Sequence, residues 1–229
     1  MQRSHITRSA GGAGGGEPIV FLGTYAYNLS ATNPEDFNFD IGDAYPSRVI
    51  IGVSCQNDNG GGKNLEASPL QGRIAGVPYT VRATRTDNDA GSSVISAAVP
   101  TGSGVQPIRI KDNSGGITGG FISFYSIDSN VWDMSSVVGL TQINPGASVT
   151  FTGLSTTALL FAAVCSGENN TSRTLSGVTT DFTQVATANG NPLTVHHGSL
   201  TPTLAAGPTV SYDSTDGSVA LVAIAINPI

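Results

Sequence analysis

Side chains suited to proton transfer, nucleophilic attack or metal binding are sparse in this chain: His5, His196 and His197, Cys55 and Cys165, and sixteen carboxylates among 229 residues. A serine hydrolase needs a base held against its nucleophile. His5 lies in a glycine-rich tail, and His196 and His197 are neighbours on a predicted strand, where successive side chains point to opposite faces. One of the two is therefore expected to face solvent and the other a partly buried surface. No Gly-x-Ser-x-Gly elbow is present. Adjacent histidines on a regular strand cannot grip one metal ion, and no Cys-x-x-Cys or His-x-His occurs. Asp87-Asn88-Asp89-Ala90-Gly91 has the opening spacing of a calcium loop but lacks the remaining ligands and the closing glutamate. Asp213 and Asp216 flank a similar turn, and ordinary Asx-turn chemistry accounts for both. Glu17, Glu35, Glu66 and Glu168 fall in predicted loops or the tail, with nothing to hold a pair across a glycosidic bond. The sequence therefore names no catalytic residue, no metal ligand and no cofactor site, and an enzyme is not expected.

The elements that would have to position any chemistry are strands. Arg48–Cys55 and Ala158–Cys165 are short, nearly continuous apolar runs between turn residues, the pattern of strands buried within a sheet. Further strands are predicted around Pro18–Leu29, Phe37–Ile41, Tyr79–Arg85, Val94–Val99, Val105–Lys111 and Phe121–Ile127. A second series runs through Ser148–Thr152, Phe182–Ala186, Leu193–His197, Thr209–Tyr212 and Val219–Ile226. The two series run in step. Cys55 and Cys165 stand 110 residues apart, while Gly76 and Gly177, Val94 and Val195, Pro107 and Pro208, and Asp112 and Asp213 all stand 101 apart. Phe121–Ile127 matches Val219–Ala225 at a spacing of 98. Each copy has about the size of a small β-sandwich. The expected fold is all-β: two tandem antiparallel sandwich or jelly-roll-like units, with one pseudo-twofold duplicated sandwich as the alternative. The division is a flexible Gly-rich arm over 1–17, a first repeat over 18–128, a connector over 129–147 and a second repeat over 148–229. Trp132 and Met134, in the connector, are expected to pack between the repeats. Cys55 and Cys165 are expected to join them there as buried thiols, with a disulfide between the copies as the alternative.

Composition narrows the classes. Charged residues make up only 11% of the chain, against about 25% in an average soluble domain, and the 29 glycines fit short strands joined by many turns. A net charge of −6 with ten Lys plus Arg leaves no basic footprint for nucleic acid. Two cysteines are too few for a disulfide scaffold. No apolar run reaches the ~18 residues of a membrane helix, and no apolar h-region marks a signal peptide. Synthesis in a cytoplasm is the expectation, with release in a particle by lysis. The first sixteen residues end in Gly-Gly-Ala-Gly-Gly-Gly, a tether rather than a phosphate loop, since no strand precedes it and no Gly-Lys-Ser/Thr follows. Arg3, His5 and Arg8 make the arm a candidate for ordering against a neighbouring subunit.

Ser47-Arg48-Val49-Ile50-Ile51-Gly52-Val53, then Arg73-Ile74-Ala75-Gly76-Val77-Pro78-Tyr79, then Ala98-Val99-Pro100-Thr101-Gly102 follow one another in order, after Asp40-Ile41-Gly42. This series resembles a family of phage and prophage β-sandwich virion structural proteins. Its members carry an Asp-Ile-Gly turn, an Arg-Val-Val-Val-like strand, a Val-Thr-Ile-Gly-Gly-Val-type hairpin and a Val-Pro-Thr-Gly turn. The resemblance covers most of Pro18–Ile226 and departs at Ala75, where the family has the first glycine of the pair, and at Pro78. It implies a virion component (tail, neck, fibre or head decoration) whose partners are other virion proteins and copies of itself, and it brings no catalytic residues. The alternative is a receptor-recognition module for host-surface glycan. Tyr25, Tyr27, Tyr45, Tyr79 and Trp132 are its candidate aromatics, although core or interface packing is the better assignment for them.

Overall fold

A computed structural model describes residues 19–29, 34–58, 65, 72–88, 90–111, 118–167, 172–188, 191–200, 207–215 and 217–229. These form seventeen strands and no helix. The first nine are β1 (Val20–Leu29), β2 (Glu35–Asp40), β3 (Arg48–Asp58), β4 (Arg73–Ile74), β5 (Val77–Pro78), β6 (Thr80–Asp87), β7 (Ala90–Ala98), β8 (Val105–Ile110) and β9 (Thr118–Asp128). The remaining eight are β10 (Val138–Ile143), β11 (Ser148–Thr150), β12 (Leu159–Ser166), β13 (Leu175–Ser176), β14 (Thr179–Ala188), β15 (Asn191–Leu200), β16 (Thr209–Tyr212) and β17 (Val219–Ile226).

The strands build four antiparallel sheets, each drawn from one half of the chain. The first half supplies the sheets β1-β9-β3-β7-β6 and β2-β8-β4-β5, and the second supplies β10-β17-β12-β15-β14 and β11-β16-β13. The order of the first five-stranded sheet recurs in the second, strand for strand. The two five-stranded sheets pack against each other, and each carries its smaller sheet on its far face. The result is a stack of four layers with three apolar interlayers. Ile50, Ile95, Ile122 and Phe124 meet Phe37, Ile74, Ile108 and Ile110 in the first. Val49, Ile51, Val53 and Cys55 meet Leu159, Phe161, Ala163 and Cys165 in the second. Leu160, Ala162, Val164 and Leu221 meet Val149, Leu175, Val210 and Tyr212 in the third.

This stacking explains the apolar runs. An antiparallel sheet usually shows one face to water and alternates apolar with polar. β12 and β17 lie in inner layers, covered on both faces, so nearly all their side chains are apolar, while β3, covered likewise, keeps Val49, Ile51, Val53 and Cys55 on one face and Arg48, Ile50, Ser54 and Gln56 on the other. The outer strands β8 and β16 alternate between buried and more exposed positions instead.

The pairing registers place Cys55 opposite Phe121 and Cys165 opposite Ala220. A slip of one residue moves a side chain to the other face. Phe121 and Ala220 both look into the central interlayer, whereas Val219 faces the outer sheet. The stretch expected to be a connector also holds a strand: β10 pairs with β17 along the sheet edge, as β1 pairs with β9. Gly139 in β10 is needed because a Cβ there would lie 2.6 Å from the carbonyl oxygen of Arg82 on β6, the strand beneath it.

Candidate functional site

The most chemically varied group of side chains lies between the two inner sheets, where β1 and β9 face β14 and β15. His197 Nδ1 lies 2.7 Å from Ser123 Oγ across the interlayer, and Ser123 Oγ is also 2.7 Å from Thr24 Oγ1. Close by, Asp181 Oδ2 accepts hydrogen bonds from Tyr125 OH at 3.1 Å and from Ser199 Oγ at 2.5 Å. Asp181 reaches this position because the β14 register shifts between Thr180 and Phe182. Phe182 and Phe121 close the group, with ring centroids 5.3 Å apart.

Serine, histidine and aspartate therefore occur together, but not as a hydrolytic triad. Asp181 is engaged by Tyr125 and Ser199, and the serine and histidine have no solvent-accessible surface. The nucleophile of a hydrolase has to meet its substrate; Ser123 meets only protein. Burial pushes the His197 imidazole from 6.5 down to about 3, with neighbouring His196 adding to the effect, so the ring is neutral near pH 7. The group acts as a set of hydrogen-bonded ties between the layers. Sequence reasoning missed Ser123 and Asp181; the available signal was a serine at an inward position of the otherwise apolar Phe121–Tyr125 run.

The two histidines do point to opposite faces. His196 turns to the outer sheet, with Nδ1 3.0 Å from Thr183 Oγ1 and its ring 5.3 Å from that of Tyr212. The expectation that one of them faces solvent is corrected: His196 is 2% exposed and His197 0%. The reason is that β15 sits in an inner layer, so both of its faces are covered.

The cysteines are free thiols, both fully buried in the central interlayer. Cys165 Sγ donates to the Gln56 carbonyl at 3.1 Å, and Cys55 Sγ lies 3.6 Å from Ser92 Oγ. Burial pushes the Cys55 thiol well up, which disfavours the reactive thiolate. Ser92 Oγ in turn donates to the Ala220 carbonyl at 2.7 Å, another tie between sheets. Trp132 is 3% exposed in the same interlayer and pairs with Pro228 in a short antiparallel bridge, while Met134 packs against that core.

Among the described residues Arg48 is the largest buried polar side chain. Its guanidinium donates to six backbone carbonyls, those of Ile41, Gly42 and Asp43 on one loop and Val99, Thr101 and Gly102 on another. A guanidinium carries five N–H donors in a planar fork, so one side chain satisfies two loops at once.

The remaining sequence candidates fall outside such a cluster. Arg3, His5 and Arg8 of the arm lie outside the described residues, as do Glu17, Glu66, Asp89, Glu168 and Asp216. Asp87 Oδ2 accepts the Val219 amide at 3.2 Å, holding the β6–β7 turn against the second half. Among the described residues no group of three or more His, Cys, Asp or Glu could hold a metal ion. Of the aromatics named for glycan, Tyr27, Tyr79 and Trp132 are buried. Tyr25 is half-buried and stacks on Phe37 at 3.8 Å, and Tyr45 is half-buried with its hydroxyl donating to the Ile127 carbonyl at 2.9 Å.

Comparison with protein-family models, with curated proteins and with solved structures returns no match.

Proposed function

We propose that the protein is a structural component of a bacteriophage virion: a tail, neck, fibre or head-decoration protein acting through assembly contacts, with its N-terminal arm as a tether. One observation carries this reading. The chemically capable group around His197 is sealed between layers, while among the described residues the sheets keep unpaired edge strands. A protein of this build works through surfaces, by burying apolar area and adding strands to sheet edges. The family resemblance of the Ser47–Gly102 segment points the same way.

Light scattering on the full-length chain beside a version lacking residues 1–16 tests the reading. A defined oligomer that is lost on deletion supports an assembly arm. Two monomers at every concentration, together with no binding to any purified virion protein, refute it.

A further inference from the structure

Strand addition needs an edge whose backbone is open and whose side chains do not repel a partner. Most edges of the four sheets fail one of these conditions. β6 carries Arg82, Arg85 and Asp87. β14, whose Asp181 turns inward to Tyr125 and Ser199, exposes Thr179, Thr180, Thr183 and Gln184, a mostly polar edge with little apolar surface to cover. β10 has six residues, with Gly139 pressed against β6. In the outer sheets, β2 carries Glu35, Asp36 and Asp40, while β5, β11 and β13 are two or three residues long.

β1 differs. It is ten residues long, Val-Phe-Leu-Gly-Thr-Tyr-Ala-Tyr-Asn-Leu, with no charge and no proline. Among the described residues it pairs on one side only, with β9. Val20, Phe21 and Leu22 are half-buried and Ala26 is exposed, so a strand laid along the edge would cover apolar surface on both faces.

We infer that the outer edge of β1 receives the N-terminal arm of a second copy of this chain, an inference that rests on the assembly role proposed above. The arm has the reach. Residues 1–9, extended, span about 30 Å, close to the length of β1, and the seven small residues that follow bridge about 15 Å as a flexible chain. Charge also favours it. Residues 1–16 carry Arg3 and Arg8 and no acid, so the other residues hold eight Lys plus Arg against sixteen Asp plus Glu, a net −8. A positive arm approaches a negative body and docks on a long neutral edge, where no side-chain charge has to be desolvated. Each copy lends an arm and offers an edge, so two copies close a reciprocal pair.

The test uses the exposed Ala26. Ala26→Lys places a cation on the edge proposed to receive the positively charged arm, without touching the core, and circular dichroism with thermal melting confirms the fold. Light scattering is then run on the full-length chain, the chain lacking 1–16, full-length Ala26→Lys, and a mixture of the last two. The deletion keeps an edge without an arm, and the substituted chain keeps an arm without an edge. The expected result is a dimer for the full-length chain and association weakened at least tenfold towards monomer in each single variant. The mixture should recover a one-to-one heterodimer. If full-length Ala26→Lys associates as tightly as the parent while the deletion does not, the β1 assignment is overturned and the assembly role stands. If the deletion still dimerises, the arm is not the occupant. If the full-length chain stays monomeric, the arm does not reach a second copy, and the assembly role then depends on other virion proteins alone.

Discussion

Acid should loosen this protein well above the pH at which carboxylates titrate, and His197 is the reason. The folded chain keeps its imidazole neutral down to about pH 3, because protonation would place a charge between two apolar sheets. The unfolded chain takes up that proton near 6.5. Between these values the unfolded state binds more protons, so the stabilisation is complete above pH 6.5 and is lost as pH falls. Each pH unit below 6.5 costs about 1.4 kcal/mol, which gives about 2 kcal/mol at pH 5 and about 3.5 kcal/mol at pH 4. That is a large share of a typical total of about 5–15 kcal/mol. His196 is shifted in the same direction by burial and adds to the slope. The carboxylates of Asp36, Asp133 and Asp213 are held low by hydrogen bonds, so their loss of stabilisation begins only near the ordinary carboxylate range, and their exposure screens it. Urea unfolding at pH 7.5, 6.5, 5.5 and 4.5 measures the slope, and the same series on His197→Gln assigns it. The variant should lose close to one proton of pH dependence. A wild-type stability that stays flat from pH 7.5 to 5, or a slope that the variant leaves unchanged, would refute the argument.

Three further predictions follow from single positions. Arg48→Met takes the guanidinium from six carbonyls in two loops, of which that of Gly42 keeps the Gly104 amide, and should cost about 3–5 kcal/mol, with Arg48→Lys recovering little of it because an ammonium cannot span both loops; the urea midpoint at pH 7.5 reads both. Ala75→Gly should stabilise by about 0.5–1 kcal/mol, since Ala75 holds φ at +51° in the β4–β5 turn and glycine removes the left-handed penalty, partly offset by its chain entropy; thermal melting shows it as a rise of a degree or more. Gly139→Val forces a side chain into the Arg82 carbonyl and should destabilise by about 2–3 kcal/mol, read from the same melting curves.

The strands were legible where inner layers give nearly continuous apolar runs: Ala158–Cys165 and Val219–Ile226, and less completely Arg48–Cys55, stand out from a chain rich in Gly, Ser and Thr. β10 was not, since Val-Gly-Leu-Thr-Gln-Ile alternates weakly and lies on an edge where packing demands little. The number of layers was also hidden. A continuous apolar run announces that both faces are covered but does not say by what, so the back-to-back placement of the two inner sheets emerges only from the interlayer contacts. The same gap explains the histidines: opposite faces follow from strand geometry, but burial on both follows from the stack. Arg48 was read as the first residue of a strand, because nothing local shows that six carbonyls from two loops converge on it. Ala75 is a further case, since an alanine gives no local sign that its turn holds it at a positive φ.

The stack also governs how the halves depend on each other. Either half alone would leave one five-stranded face open, and those faces carry Ile51, Val53 and Tyr125 on one side and Phe161, Val222 and Ile224 on the other. Polar ties cross the same plane, from Ser123 to His197, Tyr125 to Asp181, Ser92 to the Ala220 carbonyl, Cys165 to the Gln56 carbonyl and Asp87 to the Val219 amide. Separating the halves would expose apolar surface and leave several of these donors and acceptors to find water together, so an intermediate with one half folded is costly. Unfolding should therefore be a single transition, with the calorimetric enthalpy equal to the van't Hoff value. Two resolved transitions, or a stable soluble fragment of residues 18–128, would show that the central interlayer contributes far less than its buried side chains imply.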